Sequence, residues 1–236
     1  SGGELTQFQS SSDVKFSATF TPSNHGATTV NINADVFTDT LGNTNKSSEV
    51  FSWFFDSTSP SISSVSLAAD NSSIVVSFSE NVYNTASGSG ALEVSDFALS
   101  VSGGTATLAS ATPTAIVQNG NSYTLSFSLT GTPDGSEVIS VAPIANSVYD
   151  GSGNLASTTQ AKGSGKLFEK IKPTVSISAV NSSSVAVSTG STTKDGSLFL
   201  SFDISEPSKG FTSDDITVSG GELTQFQSSS DVKFSA

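Results

Sequence analysis

Residues Ser122–Thr130 read SYTLSFSLT. Tyr123, Leu125, Phe127 and Leu129 alternate with Ser or Thr. That period of two places one face of a β-strand in a core and the other in water. The same alternation recurs in SIVVSFS (Ser73–Ser79), EVISVA (Glu137–Ala142), SLFLSFDI (Ser197–Ile204), VKFSATF (Val14–Phe20) and TVNINADVF (Thr29–Phe37). Turn signals punctuate these runs at Gly103-Gly104, Asn119-Gly120, Asp134-Gly135 and Asp195-Gly196. No stretch sustains a helical period. Roughly seven short strands in about 110 residues predict an all-β fold of antiparallel Greek-key β-sandwiches of immunoglobulin type.

Repetition sets the domain plan. SGGELTQFQSSSDVKFSA fills Ser1–Ala18 and recurs letter for letter at Ser219–Ala236, a period of 218 residues. A weaker repeat lies inside that period. Ser79-Glu80 matches Ser205-Glu206, Asp96 matches Asp215, and Ser102-Gly103-Gly104 matches Ser219-Gly220-Gly221. Asp150-x-x-Gly153-Asn154 matches Asp39-x-x-Gly42-Asn43. Residues 57–170 therefore form one whole sandwich. Residues 171–236 are the N-terminal half of another, and residues 1–56 are the C-terminal half. A chain that begins without Met, with no signal peptide and on a repeated segment, is expected to be an internal piece of a longer protein.

SFDISEPSKGFTSDDITVSGGELTQF, followed by the DxxGN loop and the FDSTSP linker, resembles the bacterial immunoglobulin-like tandem repeats of giant surface adhesins and biofilm-associated proteins. The resemblance runs over essentially the whole chain in two copies. It implies a stalk of many such domains outside the cell, holding a distal binding module away from it. It also implies calcium between neighbouring domains.

Composition narrows the partners. Nine cations, all Lys, face 21 carboxylates, and the net charge is −12. No basic patch is available to neutralise phosphates, so nucleic acid is excluded as a partner, and anionic membranes are disfavoured. No apolar run is long enough to span a bilayer. The absence of Cys removes disulfides, thiolate metal sites and Cys catalysis.

The topology of such a sandwich gathers carboxylates without coordinates. The incoming linker, the B–C connection and the F–G loop share the N-terminal pole. In the whole unit that pole collects Asp56, Glu80, Asp96, Asp150 and Asn154. In the split unit it collects Glu169, Glu206, Asp214, Asp215, Asp39 and Asn43. Converging carboxylates repel unless a cation sits between them, and Ca²⁺ takes 6–8 oxygen ligands at about 2.3–2.6 Å. A Ca²⁺ site is thus expected at each domain junction. The competing reading makes each DxxGN loop a turn whose Asp and Asn bond their own backbone.

Other motifs carry less. DGSGN (Asp150–Asn154) is not an EF-hand, because Leu155 stands where Gly is required and Ala161 where Glu is. Gly151-x-Gly153-x-x-Ala156 lacks the helix a dinucleotide site needs. His25, the only His, reads as a turn residue far from the carboxylate pole, which leaves no catalytic triad, and no enzymatic activity is expected. Trp53, Phe54 and Phe55 read as core and junction packing, with a sugar-stacking surface as the alternative. Asn45, Asn71 and Asn181 open N-x-Ser sequons.

The expectation is a structural stalk segment of an extracellular or cell-surface protein (adhesin, surface layer or filament) whose partners are neighbouring repeats. A related expectation is a filament protomer completed by strand or half-domain exchange with identical chains. The third is a carbohydrate- or receptor-binding module.

Overall fold

A computed structural model describes residues 2–160 and 162–236. Ser1 and Ala161 lie outside the described residues, and with them the first letter of the repeat and the EF-hand comparison at position 161. The chain forms two compact units, Ser1–Glu169 and Lys170–Ala236. The protein is all-β, with antiparallel pairing throughout the described ladders. No helix among the described residues is long and apolar enough to cross a membrane.

The first unit opens with two hairpins. β1 (Gly3–Ser12) pairs with β2 (Lys15–Pro22), and β3 (Gly26–Val30) pairs with β4 (Phe51–Phe55). Among described residues 2–56, Thr28 alone is buried. TVNINADVF does not run on as a strand: β3 stops at Val30. Beyond it, the Asn45 carboxamide accepts the N–H groups of Val36 and Phe37 and donates to the Asn33 carbonyl, and Asp39 caps a turn of its own. These side chains offer the backbone partners that a ladder would otherwise supply.

The rest of the unit is a sandwich. β5 (Ile62–Leu67), β6 (Ser73–Phe78), β7 (Phe97–Ser102), β8 (Thr107–Leu108), β9 (Ala115–Asn119), β10 (Ser122–Ser126), β11 (Leu129–Thr130), β12 (Val138–Pro143) and β13 (Ser164–Lys166) follow in order. One sheet runs β5-β6-β10-β9, the other β13-β12-β7, and β8 pairs with β11 apart from both. Lettering the seven sheet strands A to G gives A-B-E-D and G-F-C, the strand order of a constant-type immunoglobulin sandwich.

Alternation makes the core. Ile74, Val76 and Phe78 of β6 and Tyr123 and Leu125 of β10 face Phe97 and Leu99 of β7 and Ile139 and Val141 of β12. The Phe97 ring centroid lies 6.3 Å from Phe78 and 6.0 Å from Tyr123. The Tyr123 hydroxyl donates to the Val82 carbonyl and accepts from Gln118, so its burial leaves no polar atom unmet.

Glu137 occupies the core face beside Ile139 and is fully buried. Its carboxylate accepts the N–H groups of Thr105, Ala106, Asp134 and Gly135 at 2.9–3.2 Å. These bonds, that of Ala106 foremost, hold its pKa down to about 2. Gly104 makes this possible: its φ is +56°, and a Cβ there would overlap the Glu137 carboxyl.

Asn71 staples the end of the sandwich. It sits at φ +59° in the turn between β5 and β6, donates to the Phe168 carbonyl at 2.7 Å and accepts the Phe168 N–H at 2.9 Å. A carboxamide committed in this way is closed to glycosylation in the folded state. Asn71→Gly keeps the backbone conformation and removes both bonds, so urea denaturation should show a loss of about 1–3 kcal/mol. Asn71→Ala should cost more, because Ala resists a positive φ.

The second unit carries β14 (Val175–Val180), β15 (Phe199–Ile204), β16 (Gln227–Ser230) and β17 (Lys233–Ser235), in the order β14-β15-β17-β16. Its small core is Phe202, Ile204 and Phe234, packed with Leu200, Phe211, Ile216 and Phe226.

Candidate metal centre

Three segments of the first unit deliver one carboxylate each to a common point. Asp56 follows β4 directly, where the Gly26↔Phe55 pair ends the ladder. Glu80 lies two residues beyond β6. Asp150 opens the turn after Tyr149. Tyr83 and Tyr149 exchange N–H···O bonds of 2.7 and 2.8 Å, which ties the segment after Glu80 to the segment before Asp150. One carboxylate oxygen from each of Asp56, Glu80 and Asp150 lies within 4.8 Å of the others. Asp150 is fully buried, and Asp56 and Glu80 are half-buried.

The Asp150 turn is built by its own residues. Oδ1 accepts the N–H groups of Ser152 and Asn154, both at 2.8 Å, and Oδ2 accepts the Asn154 amide at 2.9 Å. The Asn154 amide also donates to the Asp56 carbonyl at 3.3 Å, which joins linker to loop. To this extent the plain turn reading holds. It does not account for the arrival of Asp56 and Glu80.

Electrostatics register the crowding. Burial, and then the charges of Asp150 and Asp56, push the Glu80 carboxyl above the ordinary Glu range, with His25 acting the other way. Asp56 is held below its usual range, chiefly by the Thr58 N–H. Two oxygens on opposite sides of one Ca²⁺ stand about 4.6–5.2 Å apart. The three oxygens, all within 4.8 Å of one another, are close enough to share one such ion. The donors are hard carboxylate oxygens, the set that suits Ca²⁺ or Mg²⁺ rather than a thiolate-loving metal.

His25 is not far from this pole, contrary to the sequence reading. Its Nδ1 lies 3.2 Å from Asp56 Oδ1 and 3.1 Å from Thr58 Oγ1. The reason is register: pairing Gly26 with Phe55 makes His25 and Asp56 neighbours across the hairpin end. That signal was present in the sequence, as GATTV opposite FSWFF, but the long connection between them hid it.

The remaining acidic positions are placed as follows. Asp96 closes a 3-10 turn (Val94–Asp96), with Oδ2 accepting the Glu93 N–H at 2.7 Å, and it is not one of the three that converge. Asp215 does the same for Ser213–Asp215, accepting the Thr212 N–H at 2.9 Å. Asp39 and Asn43 rebuild the Asp150–Asn154 turn bond for bond, with Leu41 and Asn43 N–H to Oδ1 and the Asn43 amide to Oδ2, all at 2.9 Å. The weak internal repeat thus reappears as geometry. Asp39, Asn43 and Glu169 belong to the first unit, and Glu206, Asp214 and Asp215 to the second. All are exposed except Glu206, which is half-buried.

No protein-family model and no curated protein matches the chain. Among solved structures, the N-terminal part of the bacterial S-layer protein SbsC is similar at 15% identity and a TM-score of 0.33. The match covers 63% of this chain, and the chain spans about two fifths, 41%, of that one. A likeness of this size carries no argument about what the chain does.

Proposed function

We propose that the chain is a structural segment of an extracellular, tandem-repeat surface protein whose domain joints are stiffened by Ca²⁺. The observation that carries this reading is the meeting of Asp56, Glu80 and Asp150 within 4.8 Å. Asp56 belongs to the segment entering the sandwich, whereas Glu80 and Asp150 belong to the sandwich itself. A cation held by all three fixes the direction in which the preceding residues arrive. Asn154, bonded to both the Asp56 carbonyl and Asp150, supports the same joint from behind. The duplicated sequence supplies the repetition, and a Ser/Thr-rich, Cys-free, acidic surface suits an exposed stalk.

Small-angle scattering on two consecutive periods tests the mechanical half of the proposal. With Ca²⁺ the maximum dimension should lengthen and its distribution narrow relative to chelator. Superimposable curves in the two conditions would count against it.

A further inference from the structure

An Asn or Asp followed by Gly is where a side chain most readily closes onto the main chain, because the next nitrogen carries no neighbouring Cβ to hinder it. The chain has four such places: Asn119-Gly120, Asp134-Gly135, Asp150-Gly151 and Asp195-Gly196. The fold commits three of them. Gly135 donates its N–H to Glu137 at 3.1 Å, and Asp134 accepts the Ser136 N–H at 2.8 Å. Asp150 is fully buried, with both oxygens taken by Ser152 and Asn154. Asp195 is half-buried, and its Oδ2 accepts the Thr193 hydroxyl and the Asn181 amide.

Asn119-Gly120 differs. Gly120 takes the first place of the two-residue turn between β9 and β10, at φ +61°. Its neighbours hold that turn in place. The Gln118 carboxamide donates to the Gly120 carbonyl at 3.0 Å and to the Tyr123 hydroxyl at 3.1 Å. The Asn121 amide donates to the Phe78 carbonyl at 2.6 Å, and the Phe78 N–H donates back to the Asn121 carbonyl at 2.9 Å. Among the described residues, the Asn119 carboxamide and the Gly120 N–H make no hydrogen bond, and both residues are exposed. Nothing stands within 4 Å of where a Gly120 Cβ would be. Electrophile and nucleophile are both free, on a turn whose other polar groups are tied down.

We propose that Asn119 is a site of spontaneous covalent modification, in which the Gly120 nitrogen attacks the Asn119 side-chain carbonyl. The Gly120 amide gives up its proton to solvent base, and the new N–Cγ bond closes a succinimide ring. The Cγ–Nδ2 bond breaks and ammonia leaves. Water then opens the ring at either carbonyl. Opening at Cγ leaves aspartate at position 119. Opening at the main-chain carbonyl leaves isoaspartate, whose main chain runs through Cγ. Water is the only co-reactant, and nothing is oxidised or reduced. Either product adds one carboxylate to an already acidic chain. Isoaspartate also lengthens the main chain by one methylene at Asn119, which pairs with Ser122. β9 forms the edge of its sheet, with β10 its one sheet neighbour among the described residues. The added length therefore unseats that pair and loosens β9, whereas β10 stays held between β6 and β9. The inference depends on neither the cation site nor the repeat.

Mass-spectrometric peptide mapping of the full chain, aged at mildly alkaline pH, tests this beside synthetic peptides of residues 116–123, 131–138 and 192–199. Asn119 should lose its amide within several-fold of the rate in its peptide, and isoaspartate methyltransferase should label the chain there. Asp134 and Asp195 should isomerise many-fold more slowly than in their peptides. Asn119→Gln should abolish the label while keeping the β-sheet circular dichroism, since glutamine closes its larger ring far more slowly. Chain carrying isoaspartate should exchange its β9 amide hydrogens faster than fresh chain, with those of β10 still protected. Four results would overturn the proposal: an Asn119 that keeps its amide after its peptide has lost it, a label that survives Asn119→Gln, Asp134 or Asp195 modified as fast as Asn119, or β9 exchange unchanged by isoaspartate.

Discussion

Glu137→Ala is expected to lower the melting temperature of the sandwich by roughly 10 °C at neutral pH. Four backbone N–H groups from two loops converge on this one buried carboxylate. Truncation strands all four, and the buried Ala106 N–H loses the acceptor that is hardest for water to replace. Glu137→Gln keeps one acceptor oxygen but loses the charge and turns a donor toward other donors, so its loss should be intermediate. The pH dependence has a definite sign. The folded pKa, near 2, lies below the ordinary value of 4.5. Its stabilisation is therefore fully present above about 4.5 and is lost as pH falls towards 2. Thermal melts across that window should show a steep acid limb in the parent protein and a flatter one in Glu137→Gln. Equal acid limbs would mean that the carboxylate is not held as described.

Ca²⁺ should raise the melting temperature by roughly 5–10 °C when it is about a hundredfold above its dissociation constant. Glu80 decides the sign of the apo behaviour. Its pKa is raised by burial and by Asp150 and Asp56, so its favourable contribution exists below the ordinary Glu range and is lost as pH rises through the raised value. Without a cation, its charged form is disfavoured by burial and by Asp150 and Asp56. Glu80→Gln should thus stabilise the cation-free protein by a few degrees while cancelling the Ca²⁺ increment. Opposite effects from one substitution separate a cation site from a merely crowded pole. A Glu80→Gln chain that still gains the full increment would show that the ion acts elsewhere.

Much of the fold was legible because burial writes a period of two into the chain. SYTLSFSLT became β10 and β11, and SIVVSFS became β6, each with its apolar residues inward. The convergence of Asp56, Glu80 and Asp150 was legible because strand order alone dictates which loops share a pole. Asp96 was not, because a carboxylate that caps a 3-10 turn looks in sequence like one that is free to bind a cation. His25 was missed because its placement depends on a hairpin closed across a long irregular connection. Glu137 carried no signal of its own in the sequence: the period of EVISVA places it on the face of Ile139 and Val141, and the N–H groups that make a carboxylate tolerable there come partly from Thr105 and Ala106, some thirty residues away. The exposed apolar residues of positions 1–56 follow from the same rule, since Phe8, Phe16, Phe37 and Phe51 carry a core pattern without the strands that would cover them.

The most direct measurement is equilibrium dialysis against Ca²⁺ with elemental analysis of the retained metal, on the parent chain and on Glu80→Gln and Asp56→Asn. The parent chain should retain Ca²⁺, and both variants should lose that ion while keeping their β-sheet circular dichroism. A parent chain that retains no Ca²⁺, or variants that retain it undiminished, would rule out a cation held by Asp56, Glu80 and Asp150.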